Sequence, residues 1–142
     1  MRLVVDTNIL MLGFWKNSTL RKIIRDKNPR LYAPTHALTE IKKYATHIRQ
    51  KTSLSAAEFR KTGRELRENV QFVPFDEYAS YFISAQERGK GLTKEQYELF
   101  LDDLDFIACA FALGCPSWSN DKLLKEKTKI EVLTTAEVVL LV

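Results

Sequence analysis

Short apolar, β-branched stretches alternate with helical stretches five times along the chain. That alternation predicts a three-layer α/β/α sandwich around a mostly parallel sheet of about five strands. Capping patterns in front of several helical stretches support the same reading. Glycine and proline number only five and four, which leaves little room for long linkers, so residues 1–142 read as one domain.

The elements follow in order. RLVV at 2–5 is the first strand, and residues 7–15 switch to a helical or turn-like run. Asn17 and Ser18 offer a cap for a helix over 18–26, which the Asn28-Pro29 pair ends. RLYAP carries the second strand, at 30–33. Thr35 or Thr39 can cap the next helix, whose Leu38, Ile41, Tyr44, Ala45 and Ile48 recur at helical spacing. Ser55-Ala-Ala-Glu58 is a capping box opening a helix that runs to Asn69. VQFVP at 70–74 is the third strand, and Asp76 caps a helix reaching residue 88. Thr93-Lys-Glu-Gln96 is a second capping box. It opens KEQYELFLDDLDFIACAFALG, read as one long helix or as two with a break near the aspartates, ending at Gly114. A strand at 116–119, a short helix over DKLLKEK, a strand at 130–134 and a helix capped by Thr134-Thr-Ala-Glu137 complete the chain.

Composition narrows the function classes. The net charge of +4 and a pI of about 9.1 are compatible with a polyanionic partner without establishing one. No stretch approaches the ~20 apolar residues of a membrane helix. Asp6 interrupts the apolar N-terminus, where a signal peptide needs an unbroken core. Cys109 and Cys115 have neither CxxC spacing nor a Cys/His cluster around them, so they read as reduced thiols in a cytoplasmic protein.

In parallel sheets, ligands bind beyond the carboxyl ends of the strands. Carboxylates gather there. Asp6 follows the first strand, Glu40 lies in the helix after the second, Asp102, Asp103 and Asp105 crowd the apolar helix before the fourth, and Asp121 follows the fourth. Each has an ordinary explanation alone: a helix cap, a solvated helix face, charge complementing a helix dipole, a turn aspartate. Their coincidence carries the signal. Free carboxylates within ~4–6 Å raise one another's pKa, and an oxygen-ligated divalent cation such as Mg²⁺ or Mn²⁺ resolves the conflict. One or two such ions make a phosphoryl-transfer site.

These residues carry a family resemblance. VVDTNIL at 4–10, APTHALTEI at 33–41, DDLDFIACAFALGCPSWSNDKLL at 102–124 and IEVLTTAE at 130–137 stand in the order found in the PIN-domain ribonucleases, which the chain resembles. That family includes the toxins of toxin–antitoxin pairs. The resemblance implies a PIN-like fold and a metal set of Asp6, Glu40, Asp103 and Asp121, with Asp102 and Asp105 open alternatives for the third acid. Thr7, Asn8, Ser119 and Asn120 are then supporting residues that orient the carboxylates. The implied activity is endonucleolytic cleavage of RNA by metal-activated water, which needs no histidine base. His36 and His47 indeed sit in no triad pattern. An antitoxin protein and a second copy of the chain are the implied protein partners, and no membrane is implied.

An acidic pocket needs help to hold RNA. Lys42, Lys43, Arg60, Lys61 and Arg64 can line a rim that contacts phosphates. The plainer reading of the same residues is a solvated face paired with Glu58, Glu65 and Glu68. Trp15 and Tyr44 can stack bases, though packing in the core is the expectation for both. Three competing classes stand against a nuclease. A receiver module wants an acidic pair at the first strand and a lysine after the last, and neither is present. A haloacid-dehalogenase phosphatase wants Asp-x-Asp where Asn8 stands. A catalytically silent scaffold that binds RNA or a protein predicts a missing acid, and none is missing.

Overall fold

The computed structural model describes residues 1–26 and 28–142. Five parallel strands form one sheet in the order β3-β2-β1-β4-β5: β1 (Arg2–Val5), β2 (Arg30–Pro34), β3 (Val70–Val73), β4 (Ser117–Trp118) and β5 (Val132–Leu133). The register pairs Leu3 with Leu31, Leu31 with Val70, Val5 with Trp118, and Trp118 with Leu133. Side chains alternate across a strand, so each strand feeds two cores. Leu3, Val5, Leu31 and Ala33 pack on one face, whereas Val4 and Tyr32 pack on the other.

The first face is covered by α1 (Thr7–Leu12), α2 (Thr19–Asp26), α3 (His36–Lys43), α4 (Ala45–Thr52), α5 (Ala56–Asn69) and α11 (Thr135–Leu141). The second is covered by α6 (Phe75–Tyr78), α7 (Phe82–Glu87), α8 (Lys94–Leu101), α9 (Leu104–Leu113) and α10 (Lys122–Lys127). This is the three-layer α/β/α sandwich that the alternation predicts. Among the described residues, no helix is long and apolar enough to cross a membrane.

The capping boxes at Ser55, Thr93 and Thr134 all form. Ser18 Oγ accepts from the Arg21 N–H, starting α2. The ambiguous acidic segment resolves into two helices: α8 ends at Leu101, and α9 starts at Leu104 and ends on Gly114 in the left-handed region. Both cysteines are free thiols.

Several expectations are corrected. The β4 and β5 ladders are shorter than 116–119 and 130–134, although Val4 N still donates to Pro116 O and Ser119 N to Leu133 O at their margins. Strand β3 stops at Val73 because Pro74 has no N–H to continue the ladder. Asp76 does not cap: the helix begins at Phe75, and a 3₁₀ turn over 79–81 splits the expected 76–88 helix into α6 and α7. Thr35 flanks α3 but its side chain makes no capping bond. The helix after β2 breaks at Tyr44, which takes φ −97° and ψ 10° between α3 and α4. The break takes Tyr44 off the buried stripe of Ile41 and Ile48, and its ring is exposed. Trp15 is exposed too, because the adjacent Phe14 takes the core position and stacks on Phe59 at 4.6 Å.

Candidate active site

The strand order places β1 at the centre, where the chain turns from building outward through β2 and β3 to building through β4 and β5. A crevice at such a reversal is the usual ligand site of an open parallel sheet. A pocket of about 290 Å³ opens there. Asp6, Glu40, Asp102, Asp103, Asp105 and Asp121 all line it, with Thr7, Asn8 and His36.

Asp6 is the buried anchor, 8% exposed. The Asp6 N–H donates to Trp118 O at 3.1 Å, so the end of β1 is sewn to the end of β4. Its Oδ1 accepts from the Ile9 N–H at 2.8 Å, which caps α1. Its Oδ2 accepts from the Ser119 hydroxyl. Asp6 is therefore both a helix cap and a strand-end carboxylate. Burial pushes its carboxyl above the ordinary aspartate value, and Asp121 adds to the rise, while the Ser119 hydroxyl and the Ile9 and Asn8 N–H groups oppose it.

The other acids arrive from separate elements. Asp121 caps α10, accepting from the Leu124 N–H at 3.2 Å, and the Asp121 N–H donates to Ser119 Oγ at 3.1 Å. Ser119 thus joins the first and last acids. Glu40 projects from α3, where its Oε1 accepts from the Thr7 hydroxyl at 2.8 Å and lies 3.7 Å from His36 Nε2. Asp103 flanks the start of α9, and its carboxylate makes no capping bond. Burial first, then Asp121, Asp6, Asp102 and Glu40, push the Asp103 carboxyl up to about 7. Asp105 is held from behind by the Tyr78 hydroxyl, which donates to its Oδ2 at 2.6 Å. Burial and that neighbouring carboxylate push the Tyr78 phenol up.

The supporting residues divide. Thr7 and Ser119 bond directly to acids. Asn8 lines the pocket, and its N–H points to Asp6. Asn120 instead exchanges two hydrogen bonds with Thr135, tying the loop after β4 to α11. The basic residues are less concentrated than the sequence suggests. Lys42 and Lys43 end α3, and Lys43 Nζ sits 5.5 Å from the centre of the Tyr44 ring. Arg60, Lys61 and Arg64 are exposed on α5 and line neither the acidic pocket nor the groove beside it. Tyr78 was not legible as a site neighbour, since it lies 27 residues before Asp105 and meets it only through tertiary packing.

The donor set suits a hard divalent cation. Its side chains offer carboxylate and hydroxyl oxygens, with His36 the one imidazole in the lining. Among the described residues, no three His, Cys, Asp or Glu side chains are already gathered at ligand spacing around a point. Nucleophilic catalysis by thiolate has no support, since burial pushes Cys109 up to about 12.

The PIN-domain family matches the chain over residues 4–140. No curated protein sequence matches it significantly. Among solved structures, a chain of the VapBC2 complex from Rickettsia felis, crystallised bound to a DNA fragment from their promoter, superposes with a TM-score of 0.67 at 15% identity, covering 94% of this chain and 98% of that one. At that identity the likeness speaks for the fold, and the family match over nearly the whole length speaks for descent. The chain belongs to the PIN-domain family.

Proposed function

We propose that the protein is a metal-dependent endoribonuclease, working as one domain over 1–142, with Asp6, Glu40, Asp103 and Asp121 holding one or two Mg²⁺ or Mn²⁺ ions. The observation that carries this reading is the convergence of carboxylates from four separate elements on one pocket at the ends of β1 and β4. When bound, the ion supplies Lewis acidity to the phosphodiester and acidifies water. The chain's own residues do the positioning. Ser119 and the Ile9 N–H hold the two oxygens of Asp6, and Thr7 aims Glu40. Asp103 is the acid whose carboxylate no capping bond consumes. Asp105, pinned by Tyr78, shapes the wall beside it.

As a toxin, the protein has an antitoxin partner. The Rickettsia felis neighbour belongs to a VapBC2 assembly, which supports that extension. The exposed apolar end of α11, with Val139, Leu140 and Leu141, supports a homodimer. The reading places the protein in the cytoplasm, beside its RNA.

The test is cleavage of a labelled single-stranded RNA with Mg²⁺ or Mn²⁺, against EDTA. Asp6→Asn, Glu40→Gln, Asp103→Asn and Asp121→Asn each lower the rate by about 10²-fold or more, the order seen when a preorganised charge is removed, while circular dichroism stays unchanged. Cleavage that survives EDTA or these variants sinks the reading. Metal and RNA binding without cleavage favours the silent scaffold.

A further inference from the structure

Beside the acidic pocket runs a second, larger groove of about 770 Å³, within the range of small-molecule sites. The two share Asp6, Asn8, Glu40 and Asp121, so a chain lying in one leads into the other. Trp15 and Tyr44 line the groove, 38% and 43% exposed, with Ile9, Met11 and Leu12. Half-exposed Trp15, Tyr44 and Leu12 share one groove wall, and an apolar patch of this kind rimmed by polar groups marks a binding surface. Lys51 lines the same groove, and Lys43 sits against the Tyr44 ring. Both lysines carry a fixed positive charge, one in the groove wall and one against its aromatic edge, and they complement phosphate.

We propose that Trp15 and Tyr44 form a nucleobase-stacking platform that seats an unpaired strand as its backbone passes into the acidic pocket. The proposal rests on the nuclease reading above and specifies its substrate: a strand with free base faces. In a duplex those faces are already stacked on one another, so only an unpaired base can use an aromatic platform. The division of labour follows from the chemistry of each wall. The carboxylates repel phosphate unless a cation intervenes, whereas an aromatic face attracts every base without regard to sequence. The platform therefore supplies affinity and the acids supply chemistry. Trp15 and Tyr44 are binding residues, acting on KM and not on the reacting bond.

The two tryptophans make this measurable. Trp118 is 1% exposed and donates to Thr135 Oγ1 at 3.0 Å, so Trp15 is the one that reports a ligand. The probe is a short single-stranded RNA, titrated with Ca²⁺ in place of Mg²⁺ and checked for integrity on a gel. It is compared with an abasic strand of the same length and with the RNA annealed to its complement. The single strand quenches Trp15 fluorescence, and the abasic strand and the duplex bind about tenfold more weakly, as loss of a stacked base implies. For the variants, binding is read by the anisotropy of the same RNA carrying a 5′ fluorophore: Trp15→Leu and Tyr44→Leu, which keep the apolar bulk, each weaken binding and raise KM by about tenfold, while kcat stays within about twofold. Trp15→Phe, which keeps a π-face, retains most of the affinity.

Equal binding of the abasic strand, equal binding of the duplex, or unchanged affinity in both leucine variants overturns the proposal. The last outcome leaves the groove to an apolar helix of a partner protein. The two readings fail separately. Metal-dependent cleavage lost in Asp6→Asn but indifferent to Trp15→Leu removes the platform and keeps the nuclease. Base-dependent quenching with no cleavage under any metal keeps the platform and removes the nuclease.

Discussion

Asp103 is distinguished from its neighbours by what it does not do. Asp6 and Asp121 spend an oxygen on a helix cap, and Asp105 accepts from Tyr78. Asp103 starts α9 without a capping bond and meets the combined field of four other acids, which with burial lifts its carboxyl from 3.8 to about 7. The consequence for stability has a definite sign. Between those two values the folded state keeps a proton that the unfolded chain has released, so stability falls as pH rises through that window and levels off above it. In EDTA, the wild-type protein is expected to lose roughly 1–3 kcal/mol between about pH 4 and pH 8 through this group. Denaturant melts across that range check it, with Asp103→Asn removing this component of the slope and being the more stable protein at neutral pH. Identical slopes for the two proteins would show that Asp103 ionises normally.

At the scale of elements, α9 decides the site's geometry. It is buried on most sides, with Leu104, Phe106, Ile107, Ala108, Cys109 and Ala110 all in the second core. Its N-terminus delivers Asp103, and its C-terminus must stop cleanly so that Pro116 can lead into β4. Gly114 does this at φ +61°. A Cβ there would touch nothing within 4 Å, so the cost of Gly114→Ala is backbone strain alone. We expect about 1 kcal/mol of destabilisation and a melting temperature lower by about 2–6 °C, with nuclease activity per folded molecule unchanged. Thermal unfolding followed by circular dichroism reads the first, and RNA cleavage the second. A loss of several kcal/mol, or of activity, means that the α9–β4 turn also holds the acids in place.

For the whole molecule, the acidic pocket is a local exception in a chain of net charge +4. Strain of that kind is relieved by a cation, which couples the pocket to global stability. A divalent ion that binds only the folded state adds about 2.7 kcal/mol at a hundredfold excess over its Kd. Mn²⁺ or Mg²⁺ should therefore raise the melting temperature by several degrees. EDTA should reverse the shift, and Asp6→Asn and Asp103→Asn should abolish it. A melting temperature indifferent to both ions counts against the metal set directly, whatever RNA is tried.

The linear order of residues was enough for the sandwich and its capping boxes, because apolar period and cap chemistry act within a few residues. It was enough also to nominate Asp6, Glu40 and Asp121, since Asp6 and Asp121 follow strands and Glu40 lies in the helix after one. It left Asp102, Asp103 and Asp105 unresolved, because all three crowd one helix start and only packing shows that Tyr78 holds Asp105 and that the other acids press on Asp103. It misread Trp15 and Tyr44 as core, because apolar character does not reveal which of two adjacent aromatics the interior takes, nor where a helix breaks. It left Arg60, Lys61 and Arg64 between a phosphate-contacting rim and a solvated helix face, and they line neither cavity. Contacts made across long sequence separations decide these points: which acids share a field, and which rings face water.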